Sequence, residues 1–161
     1  MRLTGLEVDG FRAFGKRAQF DLDGDAVVLV GPNGCGKSNL LEALRWVMGE
    51  NRPTAMRGDG MEDVIFAGSQ SRKGLGYAEV SLVFDNSDQF LSIGFDEVTV
   101  TRKVYRSGEA EYLLNGVPCR LRDVTDLFSG TGLGREAYSV CLLYTSPSPR
   151  DRTRSRMPSS A

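Results

Sequence analysis

Eight residues, Gly31-Pro32-Asn33-Gly34-Cys35-Gly36-Lys37-Ser38, fit the pattern G-x-x-x-x-G-K-[ST] at every fixed position. The chemistry such a set can do is phosphate binding. Glycines at 34 and 36 let the backbone curl so that successive N–H groups converge on phosphate oxygens, where a Cβ would intrude. A helix beginning near Lys37 adds the positive end of its dipole. Lys37 is then placed to reach the β- and γ-phosphates, and Ser38 to ligate Mg²⁺. Cys35 fills a variable position whose backbone does the work, the alternative being a reactive thiol at a helix N-terminus. A loop of this kind specifies nucleotide binding and leaves the job of the nucleotide open. Histidine is absent from the 161 residues. That excludes Ser-His-Asp and Cys-His catalysis and any His-ligated metal within them.

The elements that position the loop follow from the residues around it. Ala26–Val30 is a continuous apolar run, which predicts a strand buried on both faces entering the loop. Leu40, Leu41, Leu44, Val47 and Met48 predict the apolar stripe of the helix leaving it, with Gly49 as its stop. Strands are expected over 2–8, 17–22, 77–85 and 98–105. Arg106-Ser107-Gly108 turns the last of these into a strand over 110–114, and Asn115-Gly116 makes a tight hairpin into 117–119. Leu121, Val124, Leu127 and Phe128 space as a short helix. The fold class expected is mixed α/β.

Composition bounds the rest. At 40% hydrophobic and 25% charged residues the chain is ordinary for a globular protein of one domain. No bilayer-length apolar run or signal-peptide pattern is present. Three scattered cysteines, Cys35, Cys119 and Cys141, make no disulfide framework, so a reducing cytoplasm is expected. Residues 141–161 carry four arginines against Asp151, leaving 16 basic and 20 acidic residues in 1–140. A net −4 gives no support to a nucleic-acid footprint. Arg102, Lys103, Arg106, Arg120 and Arg122 are candidates for a local basic face, or else are scattered solvated charges. After Val140 the pattern stops. The segment CLLYTSPSPRDRTRSRMPSSA has no amphipathic period and holds three of the six prolines. By composition it reads as a disordered basic tail. It also resembles, in one continuous frame, the translation of transposon and adapter ends used in sequencing libraries. The domain expected to fold is therefore 1–140, with 141–161 a non-native tail.

Five separated segments carry a wider resemblance. They are GPNGCGKSN with ALRWVMGE after it, MRG at 56–58, MEDVIFAGS at 61–69, LNGVPCRL at 114–121 and TGLGREAYS at 131–139, preceded by LEVDGFRAF at 6–14. Together they resemble the N-terminal half of the ATPase head of bacterial chromosome-segregation SMC proteins. The fold this implies is a P-loop NTPase of the ABC type, N-terminal lobe only, a mixed sheet with a phosphate-loop helix. The cofactors implied are ATP and Mg²⁺. The resemblance assigns Pro32, Asn33, Gly34, Cys35, Gly36, Lys37, Ser38 and Asn39 to the phosphates, with Mg²⁺ on Ser38. It assigns Arg57 to the nucleotide near the phosphates and Arg12, beside Ala13, to the adenosine end. For Arg57 a solvated loop charge is the alternative.

The partners implied are the C-terminal half of the same head, a second SMC head in a homodimer, kleisin and winged-helix subunits, and DNA. No membrane is implied, and the location expected is cytoplasmic, on the nucleoid. Departures from the family are equally informative. The Q-loop expected after AYS does not follow, and the signature motif, Walker B aspartate and catalytic glutamate belong to the C-terminal half. These 161 residues alone are therefore expected to bind nucleotide weakly and to hydrolyse it negligibly. Asp59-Gly60 stands where the family often has basic residues. Two other readings remain: a head lobe of a related DNA-repair ABC-type ATPase, and a short non-catalytic nucleotide-binding module.

Overall fold

A computed structural model describes residues 1–24, 26–49 and 61–129. Strands β1 (Arg2–Asp9) and β2 (Ala18–Asp21) precede the helix α1 (Lys37–Val47). A 3-10 turn over Met61–Val64 leads to a two-stranded hairpin, β3 (Gly68–Ser69) with β4 (Arg72–Lys73). Then come β5 (Tyr77–Asp85), β6 (Glu97–Tyr105), β7 (Ala110–Leu114), β8 (Val117–Cys119) and α2 (Leu121–Phe128). The large sheet runs in the order β2-β1-β5-β6-β7-β8, every neighbouring pair antiparallel.

The period-two pattern of these strands puts one set of side chains under α1. Leu6 and Val8 of β1, Ala78, Val80, Leu82 and Phe84 of β5, and Val98, Val100 and Val104 of β6 are all buried. α1 packs on β5 and β6. Its buried arc is Leu40, Ala43, Trp46 and Val47, with Glu42 among them. The expected stripe is thus rotated, and Leu41, Leu44 and Met48 are only half-buried. Gly49 ends the helix at φ 96°, a left-handed residue after the C-cap Met48. Phe128 of α2 meets Phe84 at a ring-centroid distance of 5.2 Å, closing the far end of the core.

The expected entry strand is a correction. Ala26–Val30 forms no strand and lies exposed, Val28 at 80% and Val30 at 89%. The apolar run reads as a doubly covered strand only if strands pair on its flanks. Among the described residues the sheet is built entirely from antiparallel neighbours elsewhere, and none pairs with it.

The turn after β1 is tight. Gly10 has φ +66°, and a Cβ on it would sit 2.3 Å from the carbonyl oxygen of Tyr77. Gly10→Ala is therefore expected to cost at least about 2 kcal/mol, from left-handed strain together with displacement of β5. A thermal melt of the variant checks this, and an unchanged midpoint would refute it.

Candidate phosphate-binding site

The phosphate loop is a turn followed by a helix start. The Cys35 N–H donates to the Pro32 carbonyl at 3.5 Å, closing a turn over Asn33-Gly34, and Gly34 takes φ 83°. A Cβ on Gly34 would meet nothing within 4 Å, so within this chain the requirement for glycine is conformational and not steric. Gly36 is the N-cap of α1 at φ 101°, ψ 8°, with no side-chain cap. A Cβ there would come within 3.3 Å of the Phe14 ring and 3.9 Å of the Ala13 Cβ. Gly31 is tight for another reason: a Cβ on it would lie 2.7 Å from Cys35 Sγ.

Lys37 folds back over the loop. Its ammonium donates to the carbonyl of Gly31 at 2.5 Å and of Pro32 at 2.6 Å, and lies 3.8 Å from Cys35 Sγ. The positive charge thus stands over the curled backbone at the N-terminus of α1, where the dipole also favours an anion. Pro32, Asn33, Gly34 and Cys35 are exposed, while Gly36, Lys37, Ser38 and Asn39 are half-buried. The Asn39 N–H donates to the Gly36 carbonyl at 3.0 Å and continues the helix. Among the described residues no group of three or more His, Cys, Asp or Glu side chains could hold a metal. A cation at Ser38 would draw its other ligands from phosphate oxygens and water, the ordinary habit of Mg²⁺.

Arg12 follows Gly10 on the turn beside the loop, itself at φ 51°. Its Nε lies 3.3 Å from Glu42 Oε2 on α1, its Nη1 donates to the Asp63 carbonyl at 3.2 Å, and its N–H donates to the Val64 carbonyl at 2.6 Å. Arg57 lies outside the described residues, as do TGLGREAYS and the segment 141–161. Sequence reasoning missed Glu42, a carboxylate inside the apolar arc of α1, one turn from Ser38 and one from Trp46.

The five basic residues share no common face, and Arg102 departs from the solvated reading as well. Arg102 is 1% exposed, its guanidinium 4.5 Å from the centre of the Trp46 ring and 5.1 Å from that of Tyr112. It donates to the Trp46 carbonyl at 2.7 Å. Lys103, on the other face of β6, pairs with Glu79 at 3.1 Å, and Arg106 donates to the Leu75 carbonyl at 2.6 Å. Arg122 pairs with Asp126 within α2 at 3.4 Å. Arg106, Arg120 and Arg122 are exposed, the last two at the start of α2.

Loop, helix and overlying antiparallel sheet define the N-terminal lobe of an ABC-type P-loop ATPase head. The chain belongs to the RecF/RecN/SMC N terminal domain family, whose model matches residues 2–140, and it corresponds to the N-terminal portion of a bacterial Smc head. The Chromosome partition protein Smc of Bacillus subtilis (strain 168) is 55% identical over 140 residues, which is 87% of this chain and 12% of that protein. The chain thus spans about an eighth of the curated relatives it matches. A solved structure from work on ATP-driven dimerization and DNA-stimulated activation of SMC ATPases superposes with a TM-score of 0.84 at 31% identity, covering 98% of this chain and 93% of that one. The SmcHead bound to the C-winged helix domain of ScpA superposes at 0.82 and 33% identity, over 86% and 43%.

Proposed function

We propose that this chain is the ATP-binding lobe of a chromosome-partitioning SMC ATPase. The phosphate loop carries the reading: two left-handed glycines, an uncapped helix start and the Lys37 ammonium converge on one small volume. In this reading Pro32, Asn33, Gly34, Cys35, Gly36, Lys37 and Asn39 hold the phosphates, and Ser38 supplies one ligand to Mg²⁺. Arg57 reaches the nucleotide near its phosphates, and the Arg12 turn flanks the adenosine end. The folding unit is 1–140. The whole protein hydrolyses ATP as two heads engage, entraps DNA, binds a kleisin and winged-helix partners, and works in the cytoplasm on the nucleoid.

The exposed run Ala26–Val30 supports a further part of this reading. Five successive exposed apolar residues leading into a phosphate loop become a strand when a neighbouring strand pairs with them. The proposed neighbour is the C-terminal half of the head. Mixed with that half, the chain is expected to form a stable pair, whereas alone it turns ATP over negligibly. Val28→Lys with Val30→Lys is expected to prevent pairing, as read by size-exclusion chromatography. Turnover by the chain alone, or pairing that survives both lysines, would refute the assignment.

A further inference from the structure

Glu42 is a buried carboxylate on the phosphate-loop helix that nothing in the phosphate chemistry requires. Its side chain is 11% exposed, and that of Arg12, 3.3 Å away, is 17% exposed. The contact is ionic and poorly directed. The Arg12 Nε and Nη2 atoms are buried with no hydrogen-bond partner among the described residues. A buried charge pair with undirected N–H groups adds little net stability, so its presence points to a positioning role. Arg12 also holds φ 51°, a left-handed conformation that costs a non-glycine residue energy. The turn it belongs to is a wall of the phosphate loop, since Ala13 and Phe14 come within 3.9 and 3.3 Å of the Cβ position of Gly36.

We propose that Glu42 is a positioning residue which, through Arg12, holds the turn at 12–14 against the phosphate loop and so sets recognition of the nucleoside end of the bound nucleotide. The proposal rests on the nucleotide reading above and deepens it. Its physical content is a division of labour along α1. The first turn, at Gly36–Ser38, serves the phosphates. The next turn, through Glu42, fixes the neighbouring segment that the rest of the ligand passes. Removing the Glu42 charge takes away the helix-side hold on the Arg12 guanidinium, leaves its contact with the Asp63 carbonyl, and does not touch the phosphate loop's own hydrogen bonds.

The test compares ATP with inorganic triphosphate, which has the phosphates and no nucleoside. Both are titrated calorimetrically onto the full-length protein carrying this lobe. Glu42→Gln keeps the side-chain shape and removes the charge. It is expected to weaken ATP about tenfold and to change triphosphate by less than about twofold. Arg12→Gln is expected to do the same, and the double variant to be no worse than either single one, the signature of two residues acting as one unit. Equal losses for both ligands, or a loss that doubles in the double variant, would overturn the proposal and make Glu42 a fold-supporting residue only. Unchanged ATP affinity in Glu42→Gln would overturn it as well. Lys37→Ala stands beside these as the control. If it binds ATP like the unsubstituted protein, the nucleotide reading itself fails, whatever Glu42 does.

Discussion

Lys37→Ala in the full-length protein is expected to weaken ATP binding about hundredfold, the largest functional effect of any single substitution in the lobe. The ammonium stands over the loop on two carbonyls, those of Gly31 and Pro32. An ammonium has three donors, so one direction remains for an incoming phosphate oxygen before either carbonyl is released. The contact with phosphate is charge-assisted on both sides, which makes it stronger than the carbonyl contacts it supplements. The same substitution removes two partly exposed hydrogen bonds and no core packing. Unfolding free energy should therefore fall by less than about 1 kcal/mol. Titration with a fluorescent ATP analogue, beside a chemical denaturation curve, separates the two quantities. A loss of affinity matched by an equal loss of stability would make Lys37 a loop-closing residue and not a phosphate ligand.

Arg102→Ala has the largest expected effect on stability, about 3–5 kcal/mol. The side chain fills the space between Trp46 and Tyr112 and donates to the carbonyl of Trp46 at the end of α1. Truncation leaves a cavity, strips that carbonyl of a donor and removes a cation from the negative end of the helix dipole. Burial pushes the guanidinium pKa below its usual range, and the group stays charged through neutral pH all the same. A domain with about 5–15 kcal/mol in hand would be left close to its threshold. Urea denaturation followed by circular dichroism measures the loss, and Arg102→Met, which restores volume, should recover part of it. A cost under about 1 kcal/mol would show that the cavity refills and that the cation is dispensable.

How far residues disclose structure here depends on how local the cause is. The spans 77–85, 110–114 and 117–119 are read from sequence with the ends they have in the fold. Alternation and the flanking turn residues suffice there. β3 and β4 are two residues each, too short for any period to register. Ala26–Val30 misled because a strand is made by its neighbours, and an apolar run cannot say whether they are present. Arg102 was open to a better reading. Val98, Val100, Arg102 and Val104 share one parity on β6, so the arginine follows the valines inward. In the site, the phosphate loop is legible because all its parts are contiguous. The Arg12 and Glu42 contact is not, since it depends on how the turn after β1 meets a helix far along the chain.

Trp46 is the only tryptophan in the chain, and it is fully enclosed, between Phe11 at 5.3 Å and the guanidinium of Arg102. Its emission consequently reports one event, the seating of the phosphate-loop helix on the sheet. Loss of that seating moves the indole from an apolar, cation-capped chamber into water. The lobe therefore carries a built-in optical gauge of helix docking, located away from the exposed loop proposed to meet the ligand.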